Sequence, residues 1–403
     1  MKIMKKYKFP NNFLWGCSTA AHQVEGNNKH CDWWKWEQDS KTKWHSNFAC
    51  DHYNRYKEDF ALAKDFGHNA HRLSLEWSRI EPQKGKISMK AVRHYCGVFK
   101  ELRKNKLTSF ATLWHFTLPQ WFLELGGFEN RKNIKYFKKY IYLCTKYFGK
   151  YVDFWITVNE PTTYTFKSYF AGIWPPGKKN FLTTMKVYKN ICVAHNEAYE
   201  IIKKNNKNSQ ISSAHQLINY YSEGGVINNL ITSILQYVAN DFFYNHTYKK
   251  HDFIGLNYYF RNPVSYKYLF KQIKEDDYER IIRDEATNLG WSMNPKGLYY
   301  CIRGLTIKFN KPIYILEHGI SDPTDKKRIK YIKEGLRWIH RAIMEGSDVR
   351  SYLHWSLIDN YEWNLGYISK FGIFSFNSKN YKRIPKESAY FYKKICLNNY
   401  IRL

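Results

Sequence analysis

Residues 151–161 read YVDFWITVNEP, and the change of character along this stretch decides the fold. Tyr151, Val152, Phe154, Trp155, Ile156 and Val158 are β-branched or aromatic, which predicts a strand buried on both faces, as in a parallel sheet covered by helices. Pro161 cannot continue a ladder, so the strand must stop at Asn159 and Glu160. A glutamate in that place is either a paired structural acid or part of a site, because glutamate is seldom fully buried without a partner. The other strand ends have to decide between the two.

Working outward, β-rich apolar segments recur at about 13–21, 69–75, 107–115, 210–217, 252–259, 312–317 and 351–358. Between and after them, apolar residues at three- and four-residue spacing predict helices over 53–66, 88–105, 133–149, 183–206, 226–247, 295–309, 326–345 and 386–396. Eight strands alternating with eight helices imply right-handed βαβ units and a parallel sheet, and eight such units in one chain predict a closed (β/α)8 TIM barrel. No linker or composition shift divides the chain, and no repeat with a shared motif is present, so residues 1–403 are expected to form a single domain. The connection between the fifth and sixth strands holds one helical pattern and little else, whereas those after the first and sixth strands are long. Long strand-to-helix loops gather at the C-terminal face of such a barrel, and the site is expected there.

Composition narrows the function classes. Apolar residues make up 44% and aromatic residues 18% of the 403 residues, which excludes a disordered chain, and no run of 18 apolar residues offers a membrane span. The N-terminal MKIMKKYKFPNN is basic but lacks an apolar core and a cleavage site, so a cytoplasmic location is expected. Eight cysteines are scattered singly, without a CxxC pair or zinc spacing, which predicts reduced structural thiols and no metal centre. The net charge of +29 is spread along the chain, as in KKNNKN at 203–208, with no nucleic-acid motif around it. Neither nucleic acid nor membrane is an expected partner, and the oligomeric state stays open.

The strand ends carry Gln23 and Glu25; Arg72, Glu76 and Trp77; Trp114 and His115; Asn159 and Glu160; His215; Asn257 and Tyr259; Glu317 and His318; and Trp355, with Glu362 and Trp363 beyond it. Carboxylates, amides, imidazoles and indoles are the groups that hydrogen-bond many hydroxyls and stack on a sugar ring. Glu160 and Glu317, at the ends of the fourth and seventh strands, would face each other across the barrel mouth, and two facing carboxyls are the minimum equipment for glycoside hydrolysis. Singly, each residue has a structural alternative: His115 and His215 as core histidines, Trp355 as barrel packing, Arg72 as half of an ion pair.

Several ordered motifs carry a resemblance that covers nearly the whole chain. FLWGCSTAAHQVEG at 13–26, HRLSLEWSRIEP at 71–82, TVNEP at 157–161, ILEHG at 315–319, YLHWSLIDNYEW at 352–363 and the closing KFGIF and KRIPKESA segments resemble glycoside hydrolase family 1, the β-glucosidase and β-galactosidase group. The resemblance implies a retaining exo-β-glycosidase without metal or cofactor, acting on a β-glucoside or a related small glycoside. Glu317 matches the nucleophile and Glu160 the acid/base, with carboxyl groups about 5 to 5.5 Å apart for retention. Arg72 and Tyr259 match residues that contact the nucleophile. Gln23, His115, Asn159, Glu362 and Trp363 match hydroxyl-binding residues, Asn159 on the 2-hydroxyl. Trp355 matches the ring platform, Trp291 the leaving-group side, and Asn257 the shell around the nucleophile. His215 gains no such match and is read as structural.

Two departures stand out. The residue after the nucleophile is usually Asn, whereas here it is His318, whose imidazole would replace an amide hydrogen bond or, if protonated, depress the pKa of Glu317. The stretch 217–252 reads as trimmed, which would open the leaving-group side. Two competing readings follow: a 6-phospho-β-glycosidase, which a charged Glu362 would disfavour by repelling the phosphate, and a non-catalytic barrel binding nucleic acid or an acidic polymer.

Overall fold

The apolar segments form eight strands: β1 (Leu14–Ser18), β2 (Ala70–Ser74), β3 (Thr108–Thr112), β4 (Phe154–Asn159), β5 (Gln210–Gln216), β6 (Ile254–Tyr258), β7 (Ile313–His318) and β8 (Val349–Trp355). All neighbours pair in parallel, and chain order is also spatial order, so the ring closes where β8 meets β1. The protein is a (β/α)8 TIM barrel. This computed structural model describes residues 6–269, 287, 289, 291 and 293–402.

The interior of the ring is filled by side chains. Phe110, Ile156, Phe253, Tyr314, Leu316 and Leu353 interdigitate with small neighbours, Ala70 and Ala214. Phe110 stacks on Phe154 with centroids 4.4 Å apart, and Tyr314 meets both. Close strand approach also needs Gly16, where a Cβ would lie 1.9 Å from the Ala70 carbonyl oxygen.

Helices cover the outside: α1 (His52–Asp65), α2 (Met89–Lys104), α3 (Ile134–Phe148), α4 (Phe181–Asn205), α5 (Val226–Gln236), α6 (Phe242–Thr247), α7 (Lys296–Phe309), α8 (Lys326–Met344) and α9 (Glu387–Asn398). In α2 the buried positions Ala91, Val92, Tyr95, Val98, Phe99 and Leu102 follow the 3.6-residue period, and Ser88 caps its start by accepting from the amide of Ala91. No helix among the described residues is long and apolar enough to cross a membrane. All eight cysteines are unpaired, and seven are buried.

The structure differs from the sequence reading in the connections. The single helix expected over 226–247 is α5 and α6 joined by a π-helical turn, Tyr237–Asp241. Before it, Asn219–Ser222 pairs in parallel with Arg261–Val264, a small sheet added beyond the ends of β5 and β6. Both segments are only half-buried, so neither shows the apolar run that reveals a barrel strand. Part of the long connection expected after the sixth strand, and the first five residues of the N-terminal stretch, lie outside the described residues.

Candidate active site

Glu160 takes its position from a broken strand. The register of β4 against β5 shifts between Ile156 and Asn159, and Glu160 adopts φ +40° and ψ +62°, the left-handed region. Such a conformation costs a non-glycine residue about 1–2 kcal/mol. The strain is held by two backbone bonds, the Glu160 amide to the Ala214 carbonyl at 2.8 Å and the Tyr164 amide to the Glu160 carbonyl at 3.1 Å. Pro161 then opens a short helix, Pro161–Thr165, in the first position, where a missing N–H leaves nothing unsatisfied. Regular alternation would send Asn159 and Glu160 to opposite faces, but the shift and the turn bring both to the barrel mouth.

One guanidinium organises the floor. Arg72, buried on β2, donates from Nη1 to Glu317 Oε1, from Nη2 to Asn159 Oδ1 at 2.6 Å and from Nε to Thr112 Oγ1 at 3.0 Å. The Tyr259 hydroxyl donates to the other oxygen of Glu317 at 2.5 Å. Asn257 continues the chain, donating from Nδ2 to Asn159 Oδ1 at 3.3 Å and to Glu160 Oε1 at 2.7 Å. Glu317 thus meets a cation and a hydroxyl, whereas Glu160 meets a neutral amide.

That asymmetry separates the two carboxyls. Burial, followed by the charge of Glu317, raises the pKa of Glu160 to about 7, while the hydrogen bond from Asn257 and the charge of Lys167 pull it partly back. At neutral pH Glu160 holds a proton for a substantial part of the time, and Glu317 is bound by an arginine.

A cavity of about 260 Å³ opens over this floor. Gln23, His115, Asn159, Glu160, Tyr259, Trp291, Glu317, Trp355, Glu362 and Trp363 all line it, and Arg72 and Asn257 lie beneath. Trp355 Nε1 donates to Glu362 Oε1 at 3.0 Å, and the His115 ring lies parallel to the indoles of Trp355 and Trp363. Burial pushes His115 well below the usual histidine range, so its ring is neutral; Nε2 lies 3.4 Å from Asn159 Nδ2, which leaves Nδ1 for a hydroxyl. Gln23 spends its amide on Asn360 Oδ1 and the Tyr361 carbonyl, both at 3.0 Å. Its Oε1, with His115 Nδ1 and Asn257 Oδ1, is buried without a protein partner, the state expected of groups that serve a polar ligand. Trp291 packs edgewise on Tyr259 and against Phe260 and Phe371 at the cavity wall.

The structure brings these side chains together. Asn257 lies beside Glu317 in the β6–β7 register, and its amide donates to Glu160. His318 neither replaces an amide bond to substrate nor carries charge. It faces outward, Nδ1 lies 3.0 Å from the Tyr352 hydroxyl, its ring stacks on Tyr331 at 4.4 Å, and burial drops its pKa to about 3. His215 packs against Phe243 and Tyr244, with Nε2 3.1 Å from the Ala239 carbonyl. Thr163, Lys167, Trp174, Gln216 and Phe371 also line the cavity and were not anticipated. A signal for two of them existed, because 163 and 167 stand four residues apart on the helical segment that follows Glu160.

Comparison with known proteins agrees with this geometry. The family model described as glycosyl hydrolase family 1 matches residues 5–249 and 240–401. "Beta-glucosidase A" of Acetivibrio thermocellus is 31% identical over 98% of this chain and 100% of its own length. A "6-phospho-beta-galactosidase" of Staphylococcus epidermidis is 29% identical over 98% and 99%. Among solved structures, a "beta-glycosidase from Pyrococcus horikoshii" superposes with a TM-score of 0.91 at 32% identity, covering 98% of this chain and 96% of that one. A "Beta-glucosidase from Thermotoga maritima in complex with glucoimidazole" does so with 0.91 at 27%, covering 98% and 99%.

Proposed function

The chain belongs to glycosyl hydrolase family 1, and from that membership we propose that it is a retaining exo-β-glycosidase of β-glucosides, with β-galactosides and β-fucosides as further substrates. The observation that carries the reading is the unequal treatment of two carboxyls in one cavity, Glu317 gripped by Arg72 and Tyr259 and Glu160 left close to half-protonated at pH 7.

The chemistry follows from that inequality. Glu317 attacks the anomeric carbon, the glycosidic C–O bond breaks, and Glu160 transfers its proton to the leaving oxygen. Glycosylation of Glu317 neutralises the carboxylate whose charge helps to keep the acid protonated. The pKa of Glu160 then falls, and the same group accepts a proton from the water that cleaves the glycosyl-enzyme. Asn159 is held by Arg72 to meet the sugar's 2-hydroxyl, while Gln23, His115, Glu362 and Trp363 take the outer hydroxyls beside the Trp355 ring. The whole chain serves as one catalytic domain in this reading.

The 6-phospho reading has a relative in its favour and a residue to answer to. Burial raises the Glu362 pKa to about 8, so at neutral pH its carboxyl is mostly uncharged and like-charge repulsion of a sugar phosphate sets in only as pH rises through that value. Hydrolysis of a 4-nitrophenyl glycoside panel at pH 6.5 and 9, including a 6-phosphate, separates the two. The β-glucoside is expected to be the better substrate at both pH values, and preference for the 6-phosphate at pH 6.5 would refute the assignment. A barrel devoted to nucleic acid would turn over none of the panel and would bind polynucleotide with steep salt dependence.

A further inference from the structure

Lys167 lines the cavity in a way the reaction above does not use. It lies seven residues beyond Glu160, one helical face further along, within the π-helical stretch Phe166–Phe170. Its carbonyl accepts from the amides of Ile173 at 2.9 Å and Trp174 at 3.2 Å, which folds the following loop back so that the Trp174 ring lies 4.4 Å beneath Nζ. A ring face holds a cation without neutralising it. The two carboxyls that Lys167 senses, Glu160 and Glu362, act on it through space, with no hydrogen bond to either. Burial lowers its pKa below the usual lysine value, the signature of a cation short of a counter-charge.

The position of Lys167 also indicates which part of a substrate it faces. Glu160 delivers a proton to the leaving oxygen, so the groups that extend the cavity along the helical segment following Glu160 meet the leaving group. Thr163 is the next of these, and its hydroxyl donates to Gln216 Oε1 at 2.8 Å, placing Gln216 on the same wall. Lys167 is the one after. On its other side Lys167 senses Glu362, which is tied to Trp355, and Trp174 beneath it packs on Trp363, so the lysine stands where the leaving-group wall meets the residues for the sugar's outer hydroxyls.

We propose that Lys167 is a specificity-determining residue that receives a negatively charged leaving group, so that the preferred substrates are β-glycosides whose aglycone bears a carboxylate or phosphate a few ångströms from the scissile bond. The proposal rests on the glycosidase reading above. An anion there would complete the coordination of Nζ over Trp174, while a neutral leaving group would leave the half-buried ammonium with only the ring face against it.

Non-hydrolysable 1-thio-β-glucosides test this without turnover. Calorimetry compares the 4-carboxyphenyl with the 4-carbamoylphenyl compound on wild type and on Lys167→Met. The wild type should bind the carboxylate about fivefold more tightly than the amide, the worth of one partly exposed charge pair, and the variant should bring that ratio to about one. A wild-type ratio of one, no measurable binding of the carboxylate, or a ratio that survives the substitution overturns the proposal. The last of these is what a merely structural lysine would give, because both affinities would then fall together. Phenyl 1-thio-β-glucoside 6-phosphate is the third probe: if its affinity is the one that depends on Lys167, the anion sits on the sugar and the proposal is wrong. Failure of the glycosidase reading shows elsewhere, as absence of turnover across the 4-nitrophenyl panel.

Discussion

Asn257 Nδ2 donates to Glu160 Oε1 at 2.7 Å, although Asn257 stands opposite Glu317 in the strand register. The bond favours the ionised acid and so limits how far burial and the neighbouring carboxylate drive its pKa upward. Asn257→Ala should therefore move the alkaline limb of the kcat/KM profile to higher pH, while lowering activity through the looser placement of Glu160. An alkaline limb that stays in place, or moves down, would show that the bond does not set the acid's protonation.

In the wild type that limb should fall near neutrality. Glu160 must be protonated to act as acid and has a pKa of about 7, so hydrolysis of an alkyl β-glucoside is expected to decline as pH rises through that value. A dinitrophenyl glucoside, whose leaving group needs little protonation, should decline less steeply.

The same carboxyl links stability to pH. Its pKa is raised in the folded state, so its contribution is fully present below the unfolded value near 4.5 and is lost as pH rises through about 7. That interval corresponds to on the order of 3 kcal/mol between the two limits. Glu160→Gln cannot ionise and should lose less melting temperature than wild type between pH 5 and pH 8.5. Equal losses in the two proteins would mean that Glu160 ionises in the fold without penalty.

Removing each glutamate should give different failures. Glu317→Ala is expected to lose turnover of an activated aryl glucoside by several orders of magnitude, with azide restoring part of it as the inverted glycosyl azide. Glu160→Ala should retain glycosylation from good leaving groups and lose it from poor ones. Azide giving the same anomeric configuration from both variants would refute the assigned roles.

A notch in α8 receives His318. A Cβ on Gly335 would lie 2.6 Å from His318 Cε1, and the ring is already clamped against Tyr331, whose hydroxyl donates to the Tyr259 carbonyl at 2.6 Å. Gly335→Ala should cost about 1–3 kcal/mol by overpacking, and His318→Ala in the same chain should recover part of it. Additive losses in denaturant titrations would show that the two residues do not compete for the space.

The architecture was legible because a strand covered on both faces must be apolar along its length, and eight such runs separated by amphipathic stretches leave few topologies. Polar residues at the ends of those runs, Glu160 and Glu317 among them, stand out for the same reason. The outward course of His318 does not follow from alternation, because Tyr314 and Leu316 already face the interior and a register shift of β7 after Ile315 turns Glu317 inward and His318 out. Tertiary structure alone decided the rest. Whether Asn159 and Glu160 both face inward depends on a register shift against β5 and a left-handed turn, which are set by pairing with another strand and not by local preference. The partner of Asn257, the unequal environments of the two glutamates and the presence of Lys167 in the cavity are likewise relations between residues far apart in the chain, and only closure of the barrel brings them within reach of one another.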